Sequence, residues 1–243
     1  MKTFVLIISL FLTSYLQAQY GFVPAEITLT SGEVRKGRVE YSSQDNSPRS
    51  IVFIPEGTKT RENYSASSVS LVDMGARRLI GASIRQEYSP QQLQKLDRDN
   101  AFYFRRDTVF LTVLIDGEHP LYMCKKYGDV VNFYIKGENG PVLLKYKRYL
   151  KAINGRTTFV ERTNYIGQLT QYTQDAQKCG SLKKRYKKIE YKKIELMNLI
   201  LAYYECLGLE PTFEVQRNII VIPGSEMDKI LSPLNPRAKK RDE

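Results

Sequence analysis

The fold is decided by the stretch DTVFLTVLIDGEHPLYMCKKYGDVVNFYIKGENGPVLLKY, which spans residues 107–146. Apolar and polar residues alternate along most of it, and this period of two is typical of β-strands. The dipeptides Asp116-Gly117 and Asn139-Gly140 interrupt the alternation. Such pairs accept the positive φ angles of tight hairpin turns, so the stretch predicts an antiparallel meander.

The alternation also predicts which side chains share a face of the meander, because successive residues of a strand point to opposite sides. In the second strand Leu121 and Met123 should face one way, and Tyr122 and Cys124 the other. The other predicted faces are Val109, Leu111, Val113 and Ile115 in the first strand, Val131, Phe133 and Ile135 in the third, and Val142, Leu144 and Tyr146 after the last turn.

The same period continues towards the N-terminus. Gly37 is interpreted as a bulge within its strand, and Gly81 weakens the strand that contains it. Seven to nine strands joined by short turns predict an antiparallel β-sandwich or a curled sheet over residues 19–155. Its further strands are predicted at residues 49–55, 68–73 and 78–87, after a turn at 31–33.

Near residue 155 the period changes to that of a helix. The chain is therefore predicted to be α+β, with a small helical unit at residues 156–210 and a mostly flexible tail at residues 211–243. Gly180-Ser181 interrupts the helical pattern, and Ser181 can cap a second helix. The residues with helical spacing are Tyr165, Leu169, Tyr172, Ala176 and Cys179, followed by Leu182, Tyr186, Ile189, Ile194, Met197, Leu201 and Tyr204.

The three cysteines suggest one disulfide. In one straight helix Cys179 and Cys206 would lie about 40 Å apart, whereas a bridge needs Cα atoms within about 7 Å. The apolar stripe slips near Tyr191, and a break there would give three short antiparallel helices that bring the two cysteines together. We therefore favour the pair Cys179–Cys206. Cys124 is interpreted as a small buried residue of the sheet.

The N-terminus is typical of a cleavable export signal over residues 1–18. Lys2 supplies the positive start, residues 4–12 (FVLIISLFL) the apolar segment, and Ala18 a small residue before the expected cut at Gln19. Nine residues, all apolar except Ser9, are too few for the ~20 that a spanning helix needs. We expect a periplasmic, outer-envelope-associated or secreted protein with no transmembrane segment after cleavage.

The net charge of +11 is unevenly distributed. Residues 19–150 carry 19 basic and 15 acidic side chains, whereas residues 151–243 carry 17 and 11. Such a basic patch attracts anionic polymers or anionic envelope surfaces, although a solvated helix face has the same pattern. The predicted anion-binding cluster is Lys183, Lys184, Arg185, Lys187, Lys188, Lys192 and Lys193.

No catalytic, cofactor-binding or metal-binding residue is predicted. His119, the only histidine, lies in a hairpin turn and is interpreted as an exposed turn residue. The cysteines lack the CxxC spacing of zinc sites, and no phosphate-binding loop, dinucleotide fingerprint or nucleophile elbow is found in the sequence. Paired carboxylates are set by three-dimensional spacing, so enzyme activity stays open.

Five stretches of the sequence carry a resemblance to one family of proteins. They are the leader ending at Ala18-Gln19, ITLTSGEVRKGRVEY (residues 27–41), the meander over residues 107–137, YIGQLTQYTQDAQKC (165–179) and KIELMNLILAYYEC (193–206). On these stretches the chain resembles a family of uncharacterised exported proteins from Bacteroidetes-type bacteria. The resemblance implies an N-terminal β-domain and a Cys-flanked helical segment. In some relatives an outer-membrane β-barrel follows, which we do not expect in this chain.

These observations predict an exported, non-enzymatic interaction module of the envelope or extracellular space. Its partner would be an envelope protein or an anionic polymer, and no nucleic acid is expected because of export. One alternative is a hydrolase acting on envelope polymers, which would need a deep pocket with converging carboxylates or with Cys124. The other is a binder of anionic polysaccharide or lipid that uses the basic helix at residues 183–193. The oligomeric state stays open.

Overall fold

The computed structural model describes residues 20–42, 47–125, 130–176, 178–186 and 188–215. The α-helices are α1 (Asn164–Tyr172), α2 (Gly180–Tyr186) and α3 (Lys193–Leu207), and Leu93–Lys95 and Gln174–Ala176 form short 3₁₀-helices. The strands are β1 (Tyr20–Leu29), β2 (Val34–Ser42), β3 (Ser50–Pro55), β4 (Glu62–Ser65), β5 (Val69–Asp73), β6 (Arg78–Glu87), β7 (Phe104–Asp116), β8 (Leu121–Lys125), β9 (Val131–Gly137), β10 (Gly140–Leu143), β11 (Lys147–Ile153), β12 (Arg156–Arg162) and β13 (Phe213–Glu214).

Most strands belong to one large antiparallel sheet. Its order is β10-β9-β8-β7-β6-β5-β1-β2-β3-β4, with β13 paired to β7, while β11 and β12 form a separate two-stranded ribbon. The predicted meander is present as β7, β8, β9 and β10. The predicted antiparallel sheet followed by helices is therefore confirmed.

The C-terminal half of this sheet curls over itself. The Tyr134 hydroxyl in β9 donates to the carbonyl of Arg85 in β6 at 3.3 Å, and the Asn132 amide donates to the carbonyl of Glu87 at 3.1 Å. Strands β6 and β9 are three positions apart in the sheet order, so hydrogen bonds between them require the sheet to bend. The space inside the curl is filled by Ile84, Val109, Leu111, Cys124, Tyr134 and Leu143, here called the inner core.

The opposite face of β7, β8 and β9 packs against the helices and forms the helix-side core. Leu121, Met123, Phe133 and Ile135 lie in it, whereas Cys124 and Tyr134 lie in the inner core. The predicted alternation in β8 and β9 is therefore confirmed. Strands β1 to β7 enclose a third cluster, formed by Ile27, Val39, Ile51, Phe53, Ala66, Val69, Val72, Leu79 and Phe110.

The prediction that all four apolar residues of the first meander strand share one face is wrong at the end of β7. Val109 and Leu111 lie in the inner core, but Ile115 lies with Leu114 in the helix-side core. The pairing of β7 with β8 shifts register between Val113 and Ile115. Such a bulge inserts one unpaired residue, and the residues beyond it therefore face the other side.

The interpretation of Gly37 as a bulge is also wrong. The register of β1 and β2 runs through Gly37 without a shift. A Cβ atom there would lie 2.2 Å from the carbonyl oxygen of Ile54, so glycine is needed for close approach of the backbones. Gly81 has the same role, because a Cβ would lie 2.1 Å from the carbonyl oxygens of Ala66 and Val69.

The predicted boundary between sheet and helices at residue 155 is displaced. Residues 156–162 form strand β12, and the first helix begins at Asn164. The predicted break near Tyr191 is confirmed, because α2 ends at Tyr186 and α3 begins at Lys193. Ser181 lies inside the first turn of α2 rather than before it, and α3 ends at Leu207 with Gly208, whose φ is +68°, as its C-cap.

The start of the predicted flexible tail is ordered as a strand. Phe213 and Glu214 form β13 and pair with Asp116 and Ile115 of β7. The predicted export signal at residues 1–18 and the predicted tail beyond residue 215 lie outside the described residues.

Candidate anion-binding surface

A disulfide braces the helical unit at one end. Cys179 and Cys206 are bonded, with their Cα atoms 6.0 Å apart, so the predicted pair is confirmed. The bridge joins the start of α2 to the end of α3, and the two helices therefore run antiparallel. Cys124 is buried in the inner core, as predicted, and its sulfur accepts a hydrogen bond from Nε2 of Gln86 at 3.1 Å.

Tyrosines fix the other end of the unit to the sheet. The Tyr191 hydroxyl donates to the carbonyl of Leu144 at 2.8 Å and accepts from the amide of Phe133 at 3.0 Å. Its ring stacks on Tyr146, with centroids 4.5 Å apart, and meets the edge of Tyr165 at 5.0 Å. The connection between α2 and α3 is therefore held on β9 and on the chain that follows β10.

Burial shifts the titration of these tyrosines. Desolvation raises the pKa of Tyr165 to about 12 and raises the pKa of Tyr191 above its usual value. The neutral hydroxyls are the forms that make these contacts, because a phenolate would have to lose its hydration in a largely apolar setting. The hydroxyl of Tyr165 donates to the carbonyl of Ile189 at 2.9 Å and so fixes the same connection.

The braced helices present most of the predicted basic cluster to solvent. Lys183, Lys184, Arg185, Lys188 and Lys192 are exposed and Lys193 is half-buried. The side chain of Lys187 lies outside the described residues. Lys192 forms an exposed ion pair with Glu190, which offsets one charge at the edge of the cluster.

Part of the cluster surrounds a surface depression of about 480 Å³. Three cations, Lys184, Arg185 and Lys188, line it together with buried Ile189 and with Glu195. We name this depression and its lining residues the α2 surface. Guanidinium and ammonium groups bind phosphate, sulfate and carboxylate oxygens through charge-assisted hydrogen bonds. With three cations against one carboxylate, the α2 surface can hold such an anionic group.

A second depression lies over the N-terminal half of the sheet and measures about 840 Å³. Its charged lining residues are Glu26, Lys36, Arg38, Glu56 and Asp73, so acidic groups outnumber basic ones. Lys36 also contacts Glu26 at 3.8 Å. This mixture of charges favours neither an anionic nor a cationic ligand. The sequence analysis did not predict this depression.

Cys124 and His119 lie in different parts of the molecule, Cys124 in the inner core and His119 against tyrosines of the helix-side core. Cys124 is fully buried in the inner core. His119 lies in the turn between β7 and β8, as predicted, but it is half-buried rather than exposed, because its ring packs against Tyr172, Tyr203 and Tyr204. Tyr172 and Tyr204 were recognised from their helical spacing as buried residues, but the sequence did not show that His119 would be their partner.

Within the described ranges, no group of three or more His, Cys, Asp or Glu side chains is arranged to hold a metal ion. In the same part of the chain, no helix is both long and apolar enough to cross a membrane. In comparisons with protein-family models, curated proteins and solved structures, nothing matched this chain.

Proposed function

We propose that this chain is an exported interaction module of the envelope or extracellular space that binds an anionic partner through the α2 surface. The resemblance described in the sequence analysis and the predicted export signal at residues 1–18 support the location. The disulfide also supports it, since disulfides persist in oxidising compartments. The partner proposed is an anionic envelope polymer, or a protein that displays clustered phosphate, sulfate or carboxylate groups.

The observation that carries the proposal is that Lys184, Arg185 and Lys188 all line one depression. A solvated helix face would spread its cations around the helix without a concave site between them. The surrounding helices are also held in place by the Cys179–Cys206 bridge and by Tyr191. A preorganised site loses less conformational entropy when a ligand binds.

Heparin chromatography tests the proposal, with heparin as a model polyanion. The variant Lys184→Ala/Arg185→Ala/Lys188→Ala should elute at clearly lower salt than the wild type. The control variant Lys36→Ala/Arg38→Ala/Lys59→Ala removes the same charge from the N-terminal half. It should elute close to the wild type, and equal losses in both variants would overturn the proposal.

A further inference from the structure

Two exposed arginines lie directly opposite each other on strands β6 and β7. The register pairs Arg85 with Arg106, and residues paired in this way have their side chains on the same face of the sheet. Arg85 follows Ile84 of the inner core along β6, so the pair points away from the interior of the curl. Like charges directly opposite each other destabilise a sheet. An anion that lies between the two guanidiniums would remove this repulsion.

Arg85 is held in position by a column of stacked side chains. Its guanidinium lies over the ring of Phe104, 3.9 Å from the centroid, and that ring stacks on Phe102 with centroids 5.6 Å apart. The guanidinium of Arg162 lies over Phe102 at 4.4 Å and donates to the carbonyl of Asn100 at 2.7 Å. A guanidinium that stacks through its face keeps the N–H donors in its plane available to an anion.

These side chains carry more positive charge than the described chain neutralises. We name them the arginine face: Arg85, Phe102, Phe104, Arg106 and Arg162. Within the described ranges, none of the three guanidiniums forms an ion pair with a carboxylate. Glu87 lies opposite Phe104 on the same face, but it is buried, and its Oε1 accepts from the amide of Ser89 at 2.9 Å. Three guanidiniums against this one carboxylate leave a net charge of +2.

We propose that the arginine face binds a terminal phosphate group, a phosphate monoester, between Arg85 and Arg106. Such a group carries about −1.5 to −2 charges at neutral pH and three acceptor oxygens. It therefore matches both the net charge of the face and the two planar forks of N–H donors. A carboxylate or a sulfate ester has a single negative charge and would leave one cation without a counter-ion.

The aromatic part of the face restricts how this phosphate is presented. Phe102 and Phe104 are half-buried, and both carry a guanidinium over the ring. They therefore offer no free apolar side chain that could enter a lipid layer, and the monoester should belong to a saccharide or a protein. The arginine face involves residues other than those of the α2 surface and goes beyond the function proposed above.

NMR titration of the oxidised protein tests the site with two probes. Glucose 1-phosphate should move the backbone amide signals of residues 83–87 and 104–108, which contain the paired arginines. O-Phosphoserine should move the same signals, and the tighter of the two probes identifies a saccharide or a protein as the source. Dimethyl phosphate, a monoanionic diester, should bind at least about fivefold more weakly than either. Unmoved signals in both segments, or equal affinity for the diester, would overturn the proposal.

Substitutions separate this site from the general charge of the chain. Arg85→Gln/Arg106→Gln should weaken the binding of glucose 1-phosphate at least about tenfold. Arg85→Lys/Arg106→Lys keeps the charge but removes the planar forks, and should weaken it by about threefold or more. The matched control Arg38→Gln/Arg105→Gln also removes two exposed arginines, and Arg105 follows Phe104 on the opposite face of β7. This control should change the affinity less than about twofold, and a loss equal to that of Arg85→Gln/Arg106→Gln would contradict the proposal.

The same titration distinguishes this site from the α2 surface. The variant Lys184→Ala/Arg185→Ala/Lys188→Ala should keep the phosphate-induced shifts at residues 83–87 and 104–108. Loss of these shifts in that variant would show that the phosphate binds at the α2 surface and would overturn the proposal made here. Conversely, Arg85→Gln/Arg106→Gln should retain the heparin binding that is assigned to the α2 surface, so the two proposals fail independently.

Discussion

The hydroxyl of Tyr191 bonds two backbone groups at the junction of helices and sheet, the carbonyl of Leu144 and the amide of Phe133. Tyr191→Phe removes it and leaves the carbonyl of Leu144 and the amide of Phe133 without that partner. Each unsatisfied group costs about 1–3 kcal/mol, so we expect a loss of at least about 2 kcal/mol in the free energy of unfolding, measured by urea denaturation. Tyr103→Phe, at a half-exposed tyrosine, should cost less than about 1 kcal/mol. If Tyr191→Phe and Tyr103→Phe both lowered the free energy of unfolding by the same small amount, the anchoring role of Tyr191 would be contradicted.

Gly81 allows β6 to pass close to the carbonyl oxygens of Ala66 and Val69. Gly81→Ala places a methyl group against rigid backbone, and we expect a loss of about 3 kcal/mol or more in the free energy of unfolding. Gly167→Ala is the matched control. Nothing lies within 4 Å of the added Cβ in α1, and the gain in helix propensity should stabilise the protein by up to about 1 kcal/mol. If Gly81→Ala did not lower the free energy of unfolding, Gly81 could not lie this close to the carbonyl oxygens of Ala66 and Val69.

At the residue scale, the sequence predicted the partner of Cys179 but misjudged Gly37. The distance argument for the cysteines used only helix rise and the position of a break, and both are local properties. A glycine inside a strand signals either a bulge or a close approach of another backbone. Only the position of Ile54 distinguishes these, and it is set by the pairing of β2 with β3.

The disulfide is the main covalent support of the helical unit. Cys179→Ser/Cys206→Ser opens a loop of 27 residues, and the loss of loop-closure entropy predicts about 3.5 kcal/mol less stability in urea denaturation. Reduction of the wild type should produce a similar loss. A double variant as stable as the oxidised protein would show that packing alone holds α2 against α3.

At the element scale, the strands that bury one face could be predicted from the sequence. The strands that bury neither face could not. The meander and the helices carry apolar residues at regular spacing, because one side of each contacts a core. Strand β12 has mostly exposed residues on both faces, and β4 is a short strand of polar sequence at the sheet edge. Neither gives a periodic signal, and the predicted boundary at residue 155 was therefore displaced.

For the whole molecule, the tyrosines predict loss of stability in alkali. Burial raises the pKa of Tyr122 and of Tyr165 to about 12, whereas unfolded tyrosines titrate near 10. Above pH 10 the unfolded chain binds fewer protons than the folded one, so the free energy of unfolding should fall as pH rises from 10 to 12. In urea denaturation across this range, Tyr122→Phe should make the decline shallower by up to about 1.4 kcal/mol per pH unit. An unchanged slope would contradict burial of this hydroxyl.

The sequence predicted an antiparallel sheet but could not decide between a sandwich and a curled sheet. Alternation shows that a strand has two environments, and it does not show which strands face each other across a core. The bonds from Tyr134 and Asn132 to the backbone of β6 join residues 45 to 49 positions apart. Likewise, the basic cluster was predicted from composition, whereas its depression depends on the antiparallel placement of α2 and α3.

The salt dependence of polyanion binding tests the central claim most directly, because it separates a local site from the net charge of the chain. Affinity for a heparin oligosaccharide would be measured between 50 and 200 mM salt. Counterion release predicts a slope of about 0.7–0.9 per contacting cation, so Lys184→Ala/Arg185→Ala/Lys188→Ala should lower the slope by roughly two to three. Lys36→Ala/Arg38→Ala/Lys59→Ala should lower it by less than about one. Equal changes in the two variants would contradict the account.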